Sequence, residues 1–320
     1  MKKFEGKIFK GNARRYYSVV SLLFAAFIAC FWLSFVDKQG KQEDFQVVIS
    51  SSDLFIDFLD VGSADCTLLH TDKSLIMIDA GLINSELSIP DYIEKEIFKK
   101  RNLKTIDLMV LTHPHADHYG QMEKVLDKFE TKRFITSKSS VDKDNHLRYN
   151  KLLKKLEQKN IKVEYSKAKS SIKINDEINI DILGPIKMDN NNVNNNSVVL
   201  KIEYNGVKFL FPGDAEREEE KDIINSGQDL RVDVLKAGHH GSSTSSSKKF
   251  LELTRPKYVI ISARNKKHVI YPHKEVAKRL SVLGIPYFST QDFGTIRFSV
   301  DRYGKLHVPD YGHETERKAA

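Results

Sequence analysis

The sequence predicts an α/β protein, its sheets covered by helices, behind one N-terminal membrane span. Three observations predict this. Short, continuously apolar runs of strand length recur between segments of helical periodicity, the clearest being IDLMVLT at 106–112. Two β-rich runs, 198–204 and 207–211, flank Asn205-Gly206, a two-residue hairpin turn. Residues 16–36, YYSVVSLLFAAFIACFWLSFV, hold 21 positions without a charge. Strands and helices in both arrangements bury their apolar faces as stacked layers.

The span comes first in the chain. As a helix, 21 residues are roughly 30 Å long, enough to cross the hydrocarbon core. Tyr16, Tyr17 and Trp32 sit towards its ends, where amphipathic rings favour the interface. Residues 1–15 carry six Lys and Arg against one Glu. This basic tail is expected in the cytoplasm and the rest of the chain outside, a single-pass membrane protein. No Ala-x-Ala site precedes the polar stretch, which favours an uncleaved anchor over a signal peptide. Phe27-Ile28-Ala29-Cys30 only partly matches a lipoprotein box. Residues 37–52 are polar and form a linker, and 53–310 form the folded domain.

Charge and cysteine content narrow the function. The 320 residues hold 51 Lys and Arg against 43 Asp and Glu, a net +8, with 40% hydrophobic positions, so the chain is no disordered polyelectrolyte. Two cysteines exclude a disulfide scaffold and a Cys-rich zinc fold. A net +8 invites a nucleic-acid reading, but +5 of it belongs to residues 1–15. The remainder conceals one strongly basic stretch: 128–175 has 14 Lys and Arg against 5 Asp and Glu. Cys66, in a strand-like run, is expected to be a buried, inert thiol.

Within the domain, alternation predicts strands at 53–61, 66–70 and 74–80, joined by turns. A helix is expected at 91–100, then the buried strand at 106–112. Helices at 119–129 and 147–158 alternate with strands at 133–136 and 162–165. Strands follow at 177–183, 198–204 and 207–211, and the Asn-rich stretch 190–196 reads as a loop. Helices at 216–225, 248–253 and 274–282 then alternate with strands at 232–236 and 258–262.

Three clusters of chemical side chains follow apolar runs. Thr112-His113-Pro114-His115-Ala116-Asp117-His118 places three imidazoles and a carboxylate directly after a buried strand. Such a set projects into one cleft and suits a divalent metal. Asp214 follows the run ending at Phe211, and Gly213 permits a tight turn there. His239 and His240 follow the run ending at Lys236. Each of the last two alone has an ordinary explanation, a helix cap or a polar loop, but three such clusters point to one shared metal site. Five of the eleven histidines lie in these clusters.

These residues resemble the metallo-β-lactamase superfamily, whose pattern is HxHxDH, then GD, then a late His. The closer resemblance is to the metallo-β-lactamase-like domain of the ComEC DNA-uptake family. FLDVGSADCTLL, IMIDAG, NNNSVVLKIEYNGVKFLFPGD, VDVLKAGHHGSSTS and YPHKEV match it in order. The resemblance covers about residues 53–300, and ComEC's multi-span channel is not part of it. It implies an αββα sandwich and two divalent ions. His113 and His115 would hold the first, Asp117 and His118 the second, with Asp214 bridging and His240 completing the site. His239 is the alternative to His240, otherwise facing substrate.

Two departures matter. Where many members place another His, this chain has Asn194-Asn195-Asn196-Ser197, leaving the first ion short of nitrogen and tilting preference from Zn²⁺ towards Mn²⁺. Asn194, Asn196, Ser197 and Ser242 are therefore expected around the ligands or substrate. Tyr271 stands before Pro272-His273, where relatives often show His-Pro. Tyr271 or His273 would orient a phosphate or protonate a leaving group, and Asp117 would orient the attacking hydroxide. The expected activity is metal-dependent cleavage of DNA or another phosphodiester polymer. The alternatives are hydrolysis of a different surface phosphodiester or ester, and a non-catalytic DNA-uptake accessory module.

Overall fold

The structure is a computed structural model that describes residues 53–141, 146–264 and 270–309. The tail, span and linker expected over 1–52 lie outside the described residues. Among the described residues, no helix is long and apolar enough to cross a membrane.

Strands are numbered in chain order. One sheet takes β1 (Leu54–Phe58), β2 (Thr67–His70), β3 (Leu75–Ile78), β5 (Leu108–Leu111), β7 (Phe134–Thr136) and β8 (Val163–Tyr165). It is completed from the C-terminal side by β16 (Ile296–Val300) and β17 (Leu306–His307), in the order β17-β16-β1-β2-β3-β5-β7-β8. A short pair, β4 (Thr105–Ile106) with β6 (Glu130–Thr131), stands apart. The second sheet takes β9 (Ser170–Ile174), β10 (Ile178–Gly184), β11 (Val199–Tyr204), β12 (Val207–Phe211), β13 (Val234–Lys236), β14 (Tyr258–Ile261) and β15 (Tyr287–Ser289). Its order is β15-β14-β13-β12-β11-β10-β9.

Alternation along each strand sorts the core into three layers. Leu54, Ile56 and Phe58 of β1 face inward with Leu108 and Val110 of β5, meeting Ile202, Phe209 and Phe211 of the other sheet. The intervening Met109 and Leu111 face outward, against Ile93, Val125 and Leu152. On the far side, Leu210, Leu235 and Val259 face Ile223, Phe250 and Val276. Each of these side chains is fully buried, worth about 1.5–3 kcal/mol relative to exposure. Helix, sheet, sheet, helix is the layered architecture expected.

Each sheet is parallel over one stretch, β3-β5-β7-β8 and β12-β13-β14-β15. Parallel strands end at the same edge of their sheet, so the loops after β5, β12 and β13 gather there.

Two local expectations are corrected, and strand β16 is added to them. The helix expected at 119–129 is two helices, Ala116–Tyr119 and Met122–Lys128. The break at Gly120 is set by tertiary contact: its N–H donates to the Gly81 carbonyl at 2.7 Å, and the next donates to Ala80 at 3.0 Å. A Cβ at position 120 would lie 2.3 Å from the Ile83 nitrogen, so only glycine allows this approach. The Asn-rich loop contains a single tight helical turn, Val193–Asn196. Strand β16 was not anticipated, because its partner is β1, more than 200 positions earlier.

Candidate metal centre

The parallel strand ends supply the site. After β5 the backbone turns so that His113 is fully buried, and the helix Ala116–Tyr119 then presents Asp117 and His118. After β12, Gly213 (φ 57°) brings Asp214 against the other sheet, and a Cβ there would lie 2.9 Å from Ser197 and Thr112 side-chain atoms. The Val198 N–H donates to the Thr112 carbonyl at 2.9 Å, tying the two sheets together at this point. After β13, His239 (φ 48°) and His240 (φ 55°) are both left-handed, followed by Gly241 (φ 84°). This tight reversal brings both imidazoles to the same carboxylate.

Asp214 is the centre of the arrangement. Its Oδ2 lies 3.4 Å from His118 Nε2, 3.7 Å from His239 Nε2, and 3.8 Å from both His113 Nε2 and His240 Nε2. His113 Nε2 is 2.9 Å from His115 Nδ1. Potential ligand atoms form two groups sharing Asp214: His113, His115 and Asp214, and Asp65, His118, Asp214 and His240. Asp117 Oδ2 lies 3.4 Å from His240 Nε2, on the same side of that ring.

The donor set fits divalent ions. Buried polar atoms are normally hydrogen-bonded, yet His118 Nε2, His240 Nε2 and Asp214 Oδ1 have no hydrogen-bond partner among the described residues. All three belong to groups suited to a borderline-hard cation.

The opposite nitrogens are committed. His118 Nδ1 lies 2.8 Å from Asp79 Oδ2, and Asp79 also accepts the Thr112 N–H and hydroxyl, each at 2.8 Å. His240 Nδ1 lies 3.0 Å from the Ser262 carbonyl and 3.3 Å from Asp65 Oδ1. Asp65 Oδ2 is held by buried Lys236 at 2.6 Å. Asp65 therefore backs His240, whereas Asp117 faces its free nitrogen. His113 Nδ1 instead meets the Thr112 and Ser197 hydroxyls, both at 3.2 Å.

These contacts govern protonation. Burial works against charge on His118, but Asp214, Asp79 and Asp117 outweigh it and hold its pKa well above the ordinary value. Burial is likewise overcome at His240, where Asp65 and Asp214 push the pKa up to about 10. Burial and the neighbouring His118 charge leave His113 well below 6.5. Burial opposes charge on Asp214 too, but the surrounding imidazoles keep it well below the carboxylate range.

The remaining expected residues take varied places. Tyr271 lies beside His240 (ring centroids 6.0 Å) and stacks on His273 at 5.0 Å. His273 Nδ1 accepts the Ser243 N–H at 3.0 Å. Ser197 Oγ touches His113 and accepts the Asp214 N–H at 3.0 Å. Ser242 bonds Thr244 at 3.1 Å. Asn194 reaches the cluster only indirectly: it donates to Glu216 at 3.3 Å, and Glu216 lies 3.2 Å from His239 Nδ1. The Asn196 amide is turned away from the imidazoles, bonding Asp189 and Ser139. Asp65, Asp79, Glu216 and Lys236 were not singled out from the sequence. Asp79 follows an apolar run just as Asp214 does, and that signal marks it. Cys66 is buried, and burial pushes its thiol pKa well up.

The chain is similar to several known proteins. Over 277 residues the chain is 29% identical to ComE operon protein 3 of Bacillus subtilis, covering 82% of this chain and 35% of that protein. It is 32% identical over 130 residues to Competence protein ComA of Neisseria gonorrhoeae, covering 40% and 19% respectively. The chain thus spans about a third or less of the length of these relatives. The crystal structure of the metallo-beta-lactamase fold protein YhfI from Bacillus subtilis superposes with a TM-score of 0.53 at 10% identity, covering 78% of this chain and 100% of that one. The family description for the metallo-beta-lactamase superfamily matches residues 59–263, and the chain belongs to that superfamily.

Proposed function

We propose that the chain is a two-metal phosphodiesterase that cleaves DNA, tethered to the outer face of a membrane by residues 16–36. The observation that carries the catalytic reading is Asp214 facing four imidazoles, with three buried ligand-type atoms that have no hydrogen-bond partner among the described residues. DNA as substrate is supported by the resemblance to the ComEC DNA-uptake family and by a relative named as a competence protein. The tether is supported by the uncharged run and its basic flank.

His113, His115 and Asp214 would hold one ion, and Asp117, His118, His240 and Asp214 the other. Two divalent ions there supply a water of lowered pKa and neutralise charge on phosphoryl oxygens. The chain's own groups do the positioning. The Asp117 side chain, 32% exposed, is placed to orient the attacking water. His273 accepts a hydrogen bond at Nδ1, which leaves its proton on Nε2 as a donor to a phosphate or leaving oxygen. Tyr271 holds that ring by stacking. The segment Asn194-Asn195-Asn196-Ser197, where many superfamily members have a further His, favours Mn²⁺ over Zn²⁺.

The test is incubation of the full chain with single- and double-stranded DNA and either Mn²⁺ or Zn²⁺. Cleavage is expected, and loss of it in His115→Ala and Asp117→Ala. A folded, metal-loaded protein inert on DNA overturns the reading, and activity only on another phosphodiester would reassign the substrate. Protease added outside intact cells should degrade the domain if the topology is right.

A further inference from the structure

A groove of about 570 Å³ opens on the same edge of the sandwich as the histidine cluster, lined by Lys138, Tyr165, Ser166, Lys167, Lys187 and Met188 among others. Its position follows from strand register. Leu111 of β5 pairs with Thr136 of β7, and Thr136 pairs with Tyr165 of β8. Two strand spacings are about 10 Å, so Tyr165 stands that far from the strand end that carries His113. From the other sheet, β10 ends at Gly184, which pairs with Val199 just after Ser197, and Pro185–Met188 continue into the groove.

Hydrogen bonds join groove to cluster. The Asn196 amide donates to Ser139 Oγ at 3.1 Å, beside Lys138, and Ser197 next to it touches His113 Nδ1. The groove therefore lies on the covalent and hydrogen-bonded frame of the site.

Its chemistry is unusual for an ordinary solvated face. Tyr165 is 52% exposed and Met188 43% exposed. The Lys138 ammonium sits 5.5 Å from the Tyr165 ring centroid. Among the described residues neither Lys138 nor Lys167 has an ion-pair partner, whereas Lys187 shares Asp222 at 3.2 Å. Lys138 and Lys167 belong to the strongly basic stretch 128–175. Unpaired ammonium groups beside an exposed aromatic face are the pairing that recognises a nucleic-acid strand: phosphates meet the lysines and an unstacked base meets the ring. A duplex keeps its bases stacked and offers Tyr165 no face, and a simple polyphosphate has no base to offer.

Resting on the phosphodiesterase reading, we infer that the Lys138–Tyr165–Lys167 groove binds single-stranded nucleic acid and leads the strand to the metal centre. The test is fluorescence anisotropy of labelled single-stranded dT20, a 20-base-pair duplex and inorganic polyphosphate with the full chain in chelator, so that binding is read without cleavage. Tyr165→Ala should weaken dT20 binding about 5- to 100-fold, the range of one base–aromatic stack. Tyr165→Phe should restore it. Lys138→Glu with Lys167→Glu should weaken binding and flatten its salt dependence. Unchanged dT20 affinity in Tyr165→Ala, or equal dependence of duplex or polyphosphate on Tyr165, overturns the inference. Hydrolysis of bis(p-nitrophenyl) phosphate by the parent chain with Mn²⁺ tests the catalytic reading separately, so failure of one is distinguishable from failure of the other.

Discussion

On one side of Asp214, His118 Nδ1 is held by the Asp79 carboxylate at 2.8 Å, and His240 Nδ1 by the Ser262 carbonyl at 3.0 Å with the Asp65 carboxylate behind it at 3.3 Å. On the other side, His113 is turned by two hydroxyls, Thr112 and Ser197. The rings are equally buried, so burial does not separate them. What separates them is the charge behind each ring. A carboxylate behind an imidazole raises its basicity and fixes its tautomer, and strengthens it as a metal ligand. A hydroxyl does the second but adds no charge. The cluster is therefore asymmetric: His118 and His240 form the stronger donor half, His113 and His115 the weaker.

The largest effect expected is at the residue both halves share. Asp214→Ala should abolish binding of both ions, measured as metal content after gel filtration, and lower phosphodiesterase activity by about three orders of magnitude or more. Retention of one tight ion would show that the halves do not depend on Asp214 together.

Asp79→Asn separates the halves. It keeps the shape of the side chain but removes the charge behind His118. Affinity for one ion should fall about 10- to 100-fold, with the other nearly unchanged, in a two-site calorimetric titration. An equal loss at both ions would break the comparison.

Acidity gives a third handle. In the metal-free protein the raised His240 pKa contributes stability that is complete below 6.5 and is lost as pH rises towards about 10. His113, pushed down, has the opposite sign: its contribution is present above 6.5 and is lost as pH falls through its lowered pKa. A ligand imidazole must give up its proton, so affinity in the stronger half should climb between pH 6.5 and about 10. His113, whose pKa is pushed down, should add no such slope to the weaker half. NMR of labelled imidazoles with metal titration at several pH values reads both.

The smallest effect is expected at Ser197→Ala. The Asp214 N–H loses its acceptor, a cost of about 1–3 kcal/mol in denaturant unfolding. Affinity for the weaker ion should change only a few-fold, because no charge is removed.

The sequence reveals the ligands of both halves more readily than the groups that support them. His113, His115, His118, Asp214 and His240 are legible because several ligand-type residues crowd directly after apolar runs. Asp79 follows an apolar run as Asp214 does, but Asp79 and Asp65 each stand apart from the other chemical residues, and that they back an imidazole appears only when the chain returns to place one against them. Glu216 reads as the first residue of a helix, and helix Arg217–Asn225 begins directly after it, with the Glu216 carboxylate spent on His239 and Asn192. That helices cover sheets was legible from periodicity, and the four-layer sandwich only from the family resemblance. The pairing of β1 with β16 was not, because nothing local in either strand encodes a partner so distant.

The left-handed pair His239 and His240 has a consequence for anyone engineering this protein for heat tolerance. Left-handed backbone costs a residue with a Cβ about 1–2 kcal/mol that glycine avoids. A screen scoring only the melting of metal-free protein would therefore select His239→Gly. The winning variants would outlast the parent on heating and lack an imidazole 3.7 Å from Asp214. In this loop, durability and chemistry pull the sequence in opposite directions.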